Sequence, residues 1–239
     1  TELPNHLFYQ CSALNQITFP EGLTSIGQNA FNSCALEVVL LPDGLTTTGD
    51  GAFFNNQQLL RATLPGSLNQ TSSECFSSCV NLKEVEIGVG ITRIRRYGFQ
   101  DTALEQIVIP SSVTYIEERA FQRCTQLTSV VMMGNAPEIQ SDNVFSEVNE
   151  NAKVYISLNS RGFADTLGGL PVVGRPYVQL NGDAAMLADL NEVFVDPGAE
   201  VIGLADETPD ISVVGEVDTG LTGTYSLTYS AISQSGLSI

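Results

Sequence analysis

The 239-residue chain carries one histidine, His6, and five cysteines, Cys11, Cys34, Cys75, Cys79 and Cys124. A Ser-His-Asp or Cys-His nucleophile needs an imidazole fixed beside it as base, and a lone histidine near the N-terminal edge is a poor foundation for either. Zinc would need cysteines and histidines that converge, so no metal site is read from the thiols. No glycine-rich nucleotide loop, H-E-x-x-H or G-x-S-x-G occurs. Paired acids such as Glu117/Glu118 alternate faces and have bases in register, so no carboxylate pair is set for glycoside hydrolysis. The chain is read as non-enzymatic and without a cofactor.

The remaining chemistry is ionic. With 27 acids against 10 bases the net charge is −17, and such a surface cannot neutralise a run of phosphates, which excludes nucleic acid as partner. No apolar run reaches the length of a membrane span, so direct membrane insertion is excluded as well. The acids are concentrated at one end: residues 177–239 hold ten acids and no base, which marks a boundary near residue 176. Asp183, Asp196, Asp206 and Asp210, with Glu207 and Asp218, form a pool of oxygen ligands suited to calcium. No D-x-D-x-D-G run fixes a site, and a solvated acidic surface is the competing reading.

These groups are positioned by a repeat. Phenylalanine recurs at Phe8, Phe31, Phe53, Phe76, Phe99, Phe121 and Phe145, at intervals of 22 to 24 residues. Each of the first six is followed by a leucine that opens an L-x-x-V-x-I pattern, as in Leu82–Ile87 and Leu104–Ile109, and a Pro or Gly closes it. Alternation of period two predicts one short strand per repeat with one face buried. A unit of this size cannot bury its own apolar face, so the repeats must stack into a parallel solenoid with the phenylalanines as an interior column. The chain opens inside a repeat, as expected of a piece cut from a longer precursor.

Register then assigns the thiols and bases. Cys11, Cys34, Cys79 and Cys124 all lie three residues after a repeat Phe, where Asn56 and Thr102 stand in other repeats. An inward-facing turn in which a side chain meets backbone groups is expected there, without disulfides, whose geometry a ladder seldom meets. Cys75, beside Phe76, reads as core. One repeat apart, Arg95 faces Glu117, Arg96 faces Glu118, Arg123 faces Asp101, Lys83 faces Glu105 and Arg61 faces Glu84. Five of the seven bases in residues 1–134 thus have an acid in register, and Arg93 and Arg119 fall beside Tyr115 and Tyr97, where guanidinium–ring stacking is expected. The basic run 91–97 is read as part of a cross-rung ladder rather than as an anion site.

Segments such as SSVTYIEERAFQRCTQLTSVVM and EGLTSIGQNAFNSCALEVVLLP resemble the BspA-type (Treponema-type) leucine-rich repeats of bacterial surface proteins. The resemblance covers residues 1 to about 134, with 135–176 similar to the segment that closes such solenoids. It implies a curved stack with a parallel sheet on one side and a role in adhesion or recognition. Residues 177–239, with LNGD, VDPGA, VDTGLTGTY and LTYSA, resemble a bacterial immunoglobulin-like domain. Strands are expected there at 178–180, 192–195, 200–202, 212–217, 223–230 and 235–239. The expected fold is mainly β: a leucine-rich-repeat solenoid over 1–176 and a small sandwich over 177–239.

If the Val and Ile of each L-x-x-V-x-I point inward, the residues before them point out from the sheet. This places Val38, Leu40, Arg61, Glu84, Glu86, Val108 and Val131 on one candidate binding face. Exposed apolar residues tend to mark interaction sites, although β-branched residues also simply favour strands; both readings stand. The expectation is an exported bacterial surface protein that binds a host or neighbouring-cell protein or glycan through the sheet face, with the second unit as spacer. The alternatives are a self-associating subunit of an extracellular filament or coat, and a ligand-binding accessory module of a larger secreted protein.

Overall fold

The computed structural model describes residues 1–156 and 160–174, together with four strands of the remainder, Tyr177–Leu180, Ala199–Ile202, Asp210–Val214 and Thr228–Ile232. The chain divides into two units, Thr1–Val173 and Gly174–Ile239.

The first unit is a solenoid with one turn for each of the seven repeat phenylalanines. Strands are numbered along the chain. On one side lie β3 (Val38–Leu40), β5 (Arg61–Leu64), β6 (Glu84–Ile87), β8 (Gln106–Ile109), β10 (Ser129–Met132) and β12 (Lys153–Ile156). These are the L-x-x-V-x-I segments, and their inward members Val39, Ala62, Ile107, Val130 and Val154 are all within 1% of full burial. The adjoining side carries the shorter β1 (Glu2–Leu3), β2 (Ser25–Ile26), β4 (Thr47–Thr48), β7 (Arg93–Ile94), β9 (Tyr115–Ile116) and β11 (Glu138–Ile139). Pairing along both sides is parallel and in register, as stacking of equal repeats requires. A hairpin of β13 (Thr166–Leu167) and β14 (Leu170–Gly174) adds to the end of the long sheet beyond β12.

Neither side is one continuous sheet. The long-strand side is bonded as β3-β5-β6 and as β8-β10-β12-β14-β13, with the ladder interrupted between β6 and β8. The same junction shows in the core: the rings of Phe76 and Phe99 stand 5.9 Å apart, the widest step in the phenylalanine column, against 5.1–5.4 Å elsewhere. Phe31, Phe53, Phe76, Phe99 and Phe121 are fully buried and stack nearly parallel. Stacking distances near the strand spacing show that the rings inherit the repeat of the backbone.

The turn around each phenylalanine has a backbone pattern that the repeat does not announce. In each of the first six turns the residues two before and two after the Phe hold positive φ, as in Asn29 and Ser33, Glu74 and Ser78, Tyr97 and Asp101, and Arg119 and Arg123. Only Gly51 among these twelve positions is a glycine. A left-handed residue with a side chain is disfavoured by roughly 1–2 kcal/mol, and here it is held by hydrogen bonds along the solenoid axis. Asn29, Phe31 and Ser33 donate their N–H groups to Asp50, Ala52 and Phe54 of the next turn at 2.8–3.1 Å. Alternating the backbone hand points every second N–H the same way, so the turn side bonds to its neighbour much as a strand does. Close approach of turns also explains Gly66: a β-carbon there would sit 1.9 Å from the Val89 carbonyl oxygen.

In the second unit, β15 (Tyr177–Leu180) pairs antiparallel with β16 (Ala199–Ile202), and β17 (Asp210–Val214) with β18 (Thr228–Ile232). Antiparallel pairs of short strands are what a small sandwich is built from. The strands expected at 192–195 and 235–239 lie outside the described residues.

Candidate functional site

The sheet face is set by register. Val38, Arg61 and Glu84 stand side by side across β3, β5 and β6, as do Leu40, Thr63 and Glu86. Val38 and Leu40 are 41% and 55% exposed, and Val108 on β8 is 41% exposed. Arg61 Nε lies 3.9 Å from Glu84 Oε2 with both side chains more than half exposed, a pair worth about 0–1 kcal/mol. Val131 departs from expectation. It is 1% exposed, so it presents nothing to a partner. Its register neighbours are Val108 on one side and Tyr155 on the other. The face therefore has two apolar islands, β3 and Val108, three rungs or roughly 14 Å apart, with Arg61, Glu84 and Glu86 between them.

The ion ladder forms with one exchange of partners. Lys83 reaches Glu105 at 3.9 Å and Arg123 reaches Asp101 at 3.1 Å. Glu117, only 12% exposed, takes both Arg93 and Arg95 at 3.3 Å and accepts the Arg96 backbone N–H at 3.0 Å. Among the described residues Arg96 makes no ion pair with Glu118, because Glu117 rather than its neighbour turns toward the previous rung. Arg93 lies over the Tyr115 ring at 4.4 Å, and Arg119 lies 5.8 Å from the Tyr97 ring centre while donating to its hydroxyl at 2.8 Å. Glu117 thus pairs with two arginines and accepts hydrogen bonds from Arg93 and the Arg96 backbone, while the buried Arg95 Nε, although within ion-pair distance, is left without a hydrogen-bond partner.

In five of the turns the third residue after the phenylalanine donates a side-chain hydrogen to a phenylalanine carbonyl. Cys34, Cys79 and Cys124 donate their thiol hydrogens to the carbonyls of Phe8, Phe53 and Phe99 in the preceding turn, with Sγ–O distances of 3.1, 3.3 and 3.1 Å. Asn56 donates to Phe31 and Phe53 at 2.8 and 2.9 Å, while Thr102 donates to Phe99 in its own turn at 3.0 Å. All five cysteines are free thiols. Burial pushes Cys34, Cys75 and Cys124 up to about 11 and Cys79 higher still. Such thiols remain protonated at neutral pH and are neither nucleophiles nor metal ligands there. Cys11, in the first turn, is exposed. Among the described residues no cluster of three His, Cys, Asp or Glu is placed to hold a metal ion. The calcium candidates Asp183, Asp196 and Asp206 lie outside the described residues, and of Asp210 only the backbone, in β17, is described.

One feature of the face went unread in the sequence. The first two turns are joined by Ala35 N–H to Leu14 O and Glu37 N–H to Asn15 O, at 3.0 and 3.1 Å, and again by Thr46 N–H to Thr24 O at 3.0 Å. Between these points, among the described residues, no backbone hydrogen bond crosses from 16–20 to 38–43. Residues 16–18 form no strand, and β3 is left as the sheet edge. The parted chains bound a groove of about 820 Å³, with Ile17, Phe19, Leu41 and the exposed Val38 and Leu40 as its apolar lining and Glu21, Glu37 and Asp43 as its charges. A signal for it exists in the repeat: Phe19 occupies the column filled elsewhere by Leu41, Leu64, Ile87, Ile109 and Met132. Its ring lies in the core, edge-on to Phe31 at 5.6 Å and to Phe53 at 6.3 Å.

A parallel solenoid of phenylalanine-centred turns with one short strand per turn on its sheet side defines a leucine-rich-repeat scaffold. The chain belongs to the BspA-type leucine-rich-repeat family: six copies of the family's repeat model match residues 1–103 and 92–164. Residues 178–238 match the Ig-like domain of bacterial surface proteins. Among solved structures, a leucine-rich repeat protein from Bacteroides ovatus is 25% identical with a TM-score of 0.50, over 65% of this chain and 46% of that one. A leucine-rich cell-surface protein from Faecalibacterium prausnitzii is 21% identical with a TM-score of 0.47, over 66% of this chain and 59% of that one. The chain thus spans less than two thirds of either structure. No curated protein matches it.

Proposed function

We propose that this chain is a non-enzymatic bacterial surface protein that recognises a host or neighbouring-cell protein or glycan across the sheet face of its solenoid, with the Ig-like unit as spacer. The observation that carries this reading is the composition of the face. Stacking dictates the inward residues of every strand, yet the outward ones are the apolar Val38, Leu40 and Val108 set around Arg61, Glu84 and Glu86. Apolar groups left 41–55% exposed on a regular surface gain by being covered. Membership of a family of bacterial surface repeats and the match to a surface-protein Ig-like domain support export.

The test is capture of the labelled intact chain on arrays of purified extracellular host proteins and of glycans. The comparison is a variant carrying Glu84→Gln, Glu86→Gln and Val108→Thr, changes confined to exposed positions on β6 and β8. At least tenfold weaker capture of the variant is expected. Capture of the variant at wild-type strength, or of neither protein by any array component, overturns the reading.

A further inference from the structure

We infer that the groove between residues 16–20 and β3 receives an extended, basic segment of a partner protein, which adds as a strand to the open edge of β3. This rests on the sheet face being the recognition surface and names the occupant of one end of it.

Three independent observations converge on this groove. The first is backbone chemistry. β3 is bonded to β5 on one side only, and the turns that part after Glu37 rejoin at Thr46, so a strand edge lies open within the solenoid rather than at its end. An open edge is a template for another strand, and pairing with an extended peptide is a standard use of one. The second is shape. At about 820 Å³ the groove falls within the roughly 300–1,000 Å³ of ligand-binding clefts. The third is side-chain chemistry. On β3, Val38 and Leu40 point out beside the groove, while Glu21, Glu37 and Asp43 line it with no base among the lining residues. Alternation along an added strand would set every second side chain on the same face as Val38 and Leu40, and three carboxylates call for Lys or Arg on the incoming segment. A second copy of this chain is a poor occupant, because its net charge is −17 and like charges oppose the encounter. A neutral glycan would leave the backbone edge unpaired.

The experiment uses the intact chain and fluorescence anisotropy of labelled probes. The probes are an N-acetylated, C-amidated hexapeptide of alternating Lys and Val, the same peptide with Glu for Lys, and the Lys-Val peptide methylated at alternate backbone nitrogens. Saturable binding of the Lys-Val peptide is expected, at least tenfold tighter than either control and weakened by added salt. The variant Glu37→Gln/Asp43→Asn, at two exposed positions, is expected to weaken that binding fivefold or more. The charge-matched variant Glu138→Gln/Glu150→Gln, at two exposed acids outside both the groove and the candidate face, is expected to leave it unchanged, and the sheet-face reading is judged by its own array capture, so the two failures are distinguishable. Circular dichroism of each variant confirms the fold. Absence of saturation, equal binding of the Glu peptide or of the methylated peptide, or indifference to Glu37→Gln/Asp43→Asn overturns the proposal. So does self-association in sedimentation that the groove variant abolishes, which would make a second copy the occupant.

Discussion

Replacing Asn56 by leucine tests the logic of the solenoid turn most directly. Asn56 is fully buried and joins four backbone groups: its amide donates to the carbonyls of Phe31 and Phe53 and, at 3.5 Å, of Phe54, and its Oδ1 accepts the Leu36 N–H at 3.3 Å. The Phe54 carbonyl also holds the Ser33 N–H at 2.9 Å. Leucine has nearly the same shape and none of this capacity. The Phe53 carbonyl keeps the thiol of Cys79 as a donor, so two groups lose their partner, the Phe31 carbonyl and the Leu36 N–H. Each buried backbone group left unpaired is worth about 1–3 kcal/mol, so Asn56→Leu should destabilise by about 3–4 kcal/mol. Asn56→Cys installs the residue used at the same register in Cys34, Cys79 and Cys124, whose thiols each reach the carbonyl of the preceding turn's phenylalanine. It should satisfy Phe31 and abandon only Leu36, at about half the loss. Urea unfolding followed by circular dichroism measures both, and hydrogen exchange at the Leu36 amide reports the site itself, with protection lost in both variants. A loss below about 1 kcal/mol for Asn56→Leu, or equal losses for the two variants, refutes the reasoning.

Three further outcomes follow from the charges and thiols. Glu117→Gln should destabilise by about 2–3 kcal/mol, since charge-assisted bonds in a nearly buried site are the strong ones, whereas Glu84→Gln should change stability by less than about 1 kcal/mol; urea midpoints for the pair provide the check. Stability should also fall between pH 9 and 11. Burial raises Cys34, Cys75 and Cys124 from 9.0 to about 11, so the folded state holds protons that the unfolded state releases, and the stabilisation present below pH 9 is lost as pH climbs toward 11. The fall should be shallower in Cys75→Ala than in wild type, measured as urea midpoint against pH. In the native protein at pH 8, a thiol reagent should modify Cys11 alone among the five cysteines, and all five in urea.

The solenoid was legible because its cause is periodic. A phenylalanine every 22 to 24 residues and an alternating strand after it can be satisfied together only by stacking, and register then follows by subtraction, which is why Arg61–Glu84, Lys83–Glu105, Arg123–Asp101 and both arginine–tyrosine contacts could be named in advance. The residue three after Phe31, Phe53, Phe76, Phe99 and Phe121 was legible for the same reason: it recurs, and a small donor is the type a buried turn needs. Exposure on the sheet face was legible for Val38, Leu40 and Val108 and not for Val131, because alternation fixes the direction of a side chain but not what stands beside it, and Val131 stands between Val108 and Tyr155.

Tertiary structure decided the rest, and its decisions lie where one turn differs from the next. The positive-φ residues flanking the phenylalanines are of mixed chemical type, Asn, Ser, Glu, Tyr, Asp and Arg among them, since bonds to the neighbouring turn hold that conformation rather than any preference of the side chain. Glu117 gathers Arg93, Arg95 and the Arg96 backbone because it is nearly enclosed, whereas Glu118 has no such place. The groove beside β3 opens in the turn where the Phe19 ring stands edge-on to two neighbouring rings. A repeating sequence states what every turn must do to bury its apolar face. Where the ladder closes and where it parts depends on side-chain volumes meeting across turns, and those contacts exist only once the chain has wound.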